Sequence, residues 1–398
     1  MKMDIALPIL LFFVFLVIVF ILIDRMLEVF KKKQYHDAIQ HDRFMRTVDW
    51  IFNSFFEWRR WKKYLLVGTT IIIMVLGISI SFIQFALPSV PPLPTININH
   101  QDSTLLKRGK YLVEHVAICT DCHSPRDVNS YSWPVIAGQE GAGGPFLSKK
   151  AGFDFPGESF TPNITPAGEI GKWTDAQLYR LLTTGIKADG NTINHAMPFE
   201  AFGKADPEDL KAIIVYLRTL RPIHNSPEGK TQIDYFYQLT NRLIPRTPKP
   251  IYKTELKNAV DSGRYLVMLA ACNDCHTPKK WDDSFDTKRA FMGGIEFPMP
   301  TGGFVHSANL TPDESGIGDW NEDTFVNRFL SYRDSTAIYK VSTGAANSLM
   351  PWSAFRYMEE ADLRRIYAYL RTLPPIHNPV VKFTKESYRL KKAREEER

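Results

Sequence analysis

Hydrophobic and polar positions follow two rhythms along this chain. Residues 5–23, IALPILLFFVFLVIVFILI, form an unbroken apolar run of 19, and residues 64–87 form a second run of 24 without a charge. At ~1.5 Å per residue, runs of this length reach across, or nearly across, a ~30 Å hydrocarbon core. The first is long for a leader and is followed by basic residues rather than a small-residue cleavage site, so both are predicted to span a membrane. Beyond residue 100 the rhythm changes. Leu210, Ile213, Ile214 and Leu217 fall at i, i+3, i+4 and i+7, the apolar stripe of a helix. Asp206 followed by Pro207 supplies its cap and first residue. Leu363, Ile366, Tyr367 and Leu370 repeat the stripe, and the segment with Tyr111, Leu112, Val113 and Val116 is also predicted helical. Between these lie GQEGAGGPF and MGGIEFPMPTGGF, read as loops, while the four prolines of residues 87–100 predict an extended linker.

The chain then answers itself. GKYLVEHVAICTDCHSP at 109–125 matches GRYLVMLAACNDCHTP at 263–278, with one residue fewer in the second copy. NITP at 163–166 matches NLTP at 309–312, each followed by a tryptophan, Trp173 and Trp320. Residues 196–225 and 349–378 align without a gap and share 16 of 30 positions. The expected architecture is mostly α. A two-helix membrane anchor (residues 1–100, ending in the linker 88–100) precedes tandem domains at 101–225 and 255–378. A linker at 226–254 joins the domains, and a basic tail follows at 379–398.

Charge refines the topology. The formal net charge is +6, with ten Lys/Arg against six Asp/Glu in residues 24–63 and seven against four in the tail. The remainder is close to neutral, which argues against a nucleic-acid partner. Lys31, Lys32, Lys33, Arg59, Arg60, Lys62 and Lys63 mark the loop between the spans as cytoplasmic, placing residues 88–398 on the outer side. Within that loop, VDWIFNSFFEWRRWKKY mixes aromatic and basic residues and suits a surface-lying segment against the lipid bilayer.

All four cysteines fall in two short strings, AICTDCHSP and AACNDCHTP. A shared four-cysteine zinc site would normally bring its pairs within about 15–20 residues, whereas Cys122 and Cys272 are 150 apart. No βαβ pattern surrounds either pair, as a thioredoxin-like dithiol requires. A disulfide across two residues would close a strained ring. C-x-x-C-H is the attachment signature of c-type haem: two thiols add to the vinyl groups and the adjacent histidine reaches the iron. Cys119, Cys122 and His123 are thus expected to hold one haem, and Cys272, Cys275 and His276 a second. Met197 follows His123 by 74 residues, and Met350 follows His276 by 74. Each precedes a proline, which favours an extended methionine backbone. Met197 and Met350 are the expected distal iron ligands. His195 has Ser348 as its counterpart and is read as a surface residue.

With these motifs the chain resembles the membrane-anchored dihaem cytochromes c, each repeat being similar to a class I cytochrome c domain. The run TPNITP…GKWTDAQLYRLLTTG…AMPFEAF…LKAIIVYLRTL is most similar to the cytochrome c subunits of periplasmic alcohol, gluconate and sugar dehydrogenases. The resemblance covers residues from about 102 to 378. Those subunits usually carry three haem motifs, and this chain has two. It implies that Trp173, Trp320, Asn163 and Asn309 line the haems or their propionates. It further implies a place at the bacterial inner membrane with haem domains in the periplasm. The expected role is single-electron relay between a dehydrogenase or quinol-oxidising complex and a terminal oxidase, without catalysis by the chain alone. A dihaem peroxidase and the haem subunit of a cbb3-type oxidase are the alternatives. Two intact distal methionines favour relay, since a peroxidase needs an open iron position.

Overall fold

The computed structural model describes residues 60–148, 157–194, 196–225, 231–244, 247–281 and 284–387. The expected first span at 5–23, most of the basic loop, His195 and the end of the tail lie outside them. The chain divides into two units, Met1–Ser89 and Val90–Arg398.

In the first unit the described structure is one long helix, α1 (Arg60–Ala86). Its Leu65–Ala86 stretch is long and apolar enough to cross a membrane, and none of it is buried within the protein.

The second unit is mostly helical, as expected, and holds both repeats. In the first, α2 (Ser103–Tyr111) leads to α3 (Cys119–Cys122), then α4 (Asp175–Thr184), α5 (Phe199–Phe202) and α6 (Pro207–Thr219). A short α7 (Tyr235–Leu243) follows. The second repeat runs through α8 (Ala259–Leu269), α9 (Cys272–His276), α10 (Glu322–Leu330), α11 (Trp352–Phe355) and α12 (Glu360–Leu370). Asp206 caps α6 by accepting from the Glu208 N–H at 2.8 Å, with Pro207 in the first turn. The predicted stripe is buried at Leu210, Ile213, Ile214 and Leu217 in one copy and at Leu363, Ile366 and Leu370 in the other, where Tyr367 is half-buried.

In each repeat the first helix crosses the last at a glycine. A Cβ on Gly109 would lie 1.9 Å from the Ala212 carbonyl oxygen; one on Gly263 would lie 1.8 Å from that of Arg365. Only glycine permits backbones this close. The extra residue of the first repeat is absorbed just beyond this crossing. Leu112–Val116 forms a π-helical turn, with the Ala117 N–H donating to the Leu112 carbonyl at 2.7 Å, whereas α8 continues with ordinary α-helical geometry.

The stretches read as loops contain strands, which is a correction. β1 (Gly144–Ser148) pairs antiparallel with β2 (Gly157–Thr161), and β3 (Gln232–Ile233) closes the sheet. In the second repeat β4 (Glu296–Pro298), β5 (Phe304–His306) and β6 (Phe383–Thr384) do the same. Glycine and proline hid the period-two alternation that would have signalled these strands. The start of the tail is accordingly part of the sheet, and Ser387 donates to Glu296 at 2.6 Å.

The repeats share one buried core and exchange matching hydrogen bonds. Tyr111 donates to Asp362 at 2.8 Å, and Tyr265 donates to Asp209 at 2.8 Å. Burial, with the neighbouring carboxylate, raises both phenols well above their ordinary range and keeps them donors. Asp209 is also held by Arg108 at 2.9 and 3.0 Å and by Lys253 at 2.8 Å.

Candidate cofactor sites

Each C-x-x-C-H string forms a short helix entered through a left-handed residue, Ile118 at φ 43° and Ala271 at φ 52°. All four thiols are unpaired. Burial pushes the Cys119 and Cys272 thiols up to about 12 and that of Cys122 up to about 11. A redox dithiol needs its thiolate favoured instead. Among the described residues no three His, Cys, Asp or Glu side chains converge to hold a bare metal ion. The redox-dithiol alternative therefore loses support.

The histidines are oriented by backbone. His123 Nδ1 lies 2.9 Å from the Pro162 carbonyl, and His276 Nδ1 lies 2.8 Å from that of Ala308. A carbonyl only accepts, so Nδ1 carries the proton and Nε2 keeps its lone pair for a metal. The donor set fits covalent haem: paired free thiols beside an imidazole with its coordinating nitrogen unprotonated.

Asn163 and Asn309 directly follow those carbonyl-bearing residues. Asn163 Oδ1 accepts from the Thr165 N–H at 2.9 Å and its Nδ2 donates to the Ile223 carbonyl at 2.7 Å. Asn309 repeats both bonds, with Thr311 at 2.9 Å and Ile376 at 2.8 Å. Their amides pin the segment that orients each histidine. Trp173 and Trp320 lie half-buried against the core, as do Met197, Met350, Cys119 and Cys272. Arg218 donates to the Trp173 carbonyl at 2.5 Å and Tyr367 to that of Trp320 at 2.6 Å.

The equal histidine-to-methionine spacing proves to be two opposite differences. The first hairpin, Gly144–Thr161, takes 18 residues, and the second, Glu296–His306, takes 11. Conversely, Met197 follows the end of α4 at Thr184 by 13 residues, while Met350 follows the end of α10 at Leu330 by 20.

Sequence reasoning missed Asn194 and Asn347, each three residues before its methionine. Asn194 Oδ1 accepts from the Ala196 N–H at 2.9 Å, and Asn347 Oδ1 from the Ser348 N–H at 2.7 Å. Their recurrence at matched positions was the available signal.

No family model matches the chain. It is 28% identical over 297 residues to the fructose dehydrogenase cytochrome subunit of Gluconobacter japonicus, covering 71% of this chain and 55% of that protein. It is 27% identical over 294 residues to the cytochrome c subunit of the quinone alcohol dehydrogenase of Gluconacetobacter polyoxogenes, covering 69% and 57%. A diheme cytochrome c-type protein of Cereibacter sphaeroides is 27% identical over 266 residues, covering 65% of this chain and 82% of that protein. The chain thus spans little more than half the length of the two dehydrogenase cytochromes.

Proposed function

We propose that this chain carries two haems c, one on Cys119 and Cys122 with His123 as proximal ligand, the other on Cys272 and Cys275 with His276. Met197 and Met350 are the distal ligands. Bound haem supplies a reversible one-electron couple, and His/Met ligation sets it high relative to bis-histidine haem. The protein's part is to hold each imidazole through the carbonyl of Pro162 or Ala308. The chain relays electrons on the outer side of a bacterial inner membrane, anchored by α1 and the span at 5–23. Its donor is a dehydrogenase of the kind named for its relatives or a quinol-oxidising complex; its acceptor leads to a terminal oxidase.

The observation that carries this reading is the double one: two unpaired C-x-x-C-H thiol pairs, each beside an imidazole tied at Nδ1. Denatured protein should keep its haem colour and carry the mass of two haems. Cys272→Ala combined with Cys275→Ala should leave one. Haem that washes entirely into acid acetone would sink the proposal.

A further inference from the structure

Nine residues beyond its own haem histidine, at Ser132, the first repeat sends a loop onto the methionine segment of the second. Ser132 Oγ donates to the Met350 carbonyl at 2.8 Å and accepts from the Ser353 N–H at 3.3 Å, so one hydroxyl spans both sides of the Met350–Pro351 step. The Ser132 N–H donates to Asn347 Oδ1 at 3.2 Å, and Asn347 Nδ2 donates back to the Ser130 carbonyl at 3.4 Å. Ser132 is fully buried, and it and Trp133 both sit at positive φ, 68° and 48°. Non-glycine residues persist in that region only where their surroundings over-determine them.

The second repeat provides the receiving half. Its seven additional residues between α10 and Met350 contribute Tyr339, which stacks on Tyr131 at 5.3 Å and whose carbonyl accepts from the Tyr131 N–H at 2.8 Å. The Met197 segment is held from another direction. There Tyr237 on α7 donates to Asn194 at 3.3 Å, and Asn241 on the same helix donates to the Ile193 carbonyl.

We infer that Ser132 is a positioning residue for Met350, so that the first repeat sets the distal ligation of the second haem. This role rests on Met350 being an iron ligand. Holding the carbonyl and the Ser353 N–H on one hydroxyl fixes the backbone from which the thioether reaches, and a looser backbone weakens the iron–sulfur bond. Each repeat would then be tuned by different parts of the chain, giving two distinct potentials from two similar halves.

The experiment uses the full-length, haem-loaded protein. Ser132→Ala removes the hydroxyl; Ser132→Gly removes it while easing the positive φ, which protects against a folding failure. Both are followed by redox titration and by the near-infrared charge-transfer band of ferric iron–thioether haem. The second haem is identified with the Cys272→Ala, Cys275→Ala protein, which lacks it. Both variants are expected to shift the potential of the second haem alone and to weaken its share of the band. Unchanged potentials and band, with only the melting temperature lowered, would overturn the inference, as would an equal shift of both haems. If Met350→Ala leaves the band and both potentials intact, the ligand assignment itself fails, and this role falls with it.

Discussion

Tyr111 and Asp362, 251 positions apart, share a partly buried hydrogen bond that Tyr265 and Asp209 reproduce, fully buried, from the opposite side. Each phenol thus reaches the last helix of the other repeat. Tyr111→Phe and Tyr265→Phe should each destabilise the protein by about 1–3 kcal/mol, because a buried carboxylate loses a donor. Tyr111→Phe should cost more. Asp209 keeps Arg108 and Lys253 when Tyr265 is lost, whereas Asp362 is left with Arg365. Chemical denaturation of the two variants checks the order.

The methionine assignment makes a separable claim. Met350→His should lower one reduction potential and leave the other nearly unchanged, since bis-histidine haem is the more easily oxidised. Met197→His should act on the other haem. Potentiometric titration of the purified protein reads both. If neither variant moves a potential, other residues ligate the irons.

Gly263→Ala tests the helix crossing. On an open helix alanine would add up to about 1 kcal/mol of stability over glycine. Here its Cβ would fall 1.8 Å from the Arg365 carbonyl oxygen and 2.9 Å from Tyr369 Cβ. The helices must separate, and a loss of roughly 3 kcal/mol is expected. Thermal unfolding should show it, and Gly68→Ala on α1, where nothing lies within 4 Å, should be harmless.

His115 gives the protein a pH dependence. It sits in the π-helical turn with Nδ1 3.2 Å from the Ala354 carbonyl and its ring 5.4 Å from that of Tyr357. Burial holds its proton affinity below the ordinary value, against the opposing pull of Glu114. The folded state therefore binds fewer protons here than the unfolded one. Stability should fall as pH drops through about 6.5, the value in the unfolded chain. His115→Gln should flatten that part of the curve. Denaturation midpoints at pH 5.5 and 7.5 for both proteins test it, and equal slopes would count against the assignment.

Local patterns carried most of what could be read from the chain. The Asp206–Pro207 cap and the Leu210–Leu217 stripe are contiguous features, and they fold as written. The hairpins escaped notice because Gly143, Gly144, Gly293, Gly294 and Pro298 interrupt any alternation. Contacts between the repeats, such as Ser132 with Met350, depend on distant segments meeting, and no periodicity encodes that. The matched 74-residue spacing taught a subtler lesson. Chain length between two residues says little about their separation in space when a longer hairpin in one copy is offset by a longer approach in the other.

The π-helical turn at Leu112–Val116 has a consequence for how such chains diversify. An insertion inside a helix ordinarily rotates everything downstream by a fraction of a turn, which would re-aim Cys119 and Cys122. Widening a single turn confines that rotation, so Gly109 and the attachment turn keep the phase that Gly263 and α9 have without the extra residue. A one-residue gain or loss at this place is survivable, and the helix ahead of a covalently held group can drift in length while the group stays where it is.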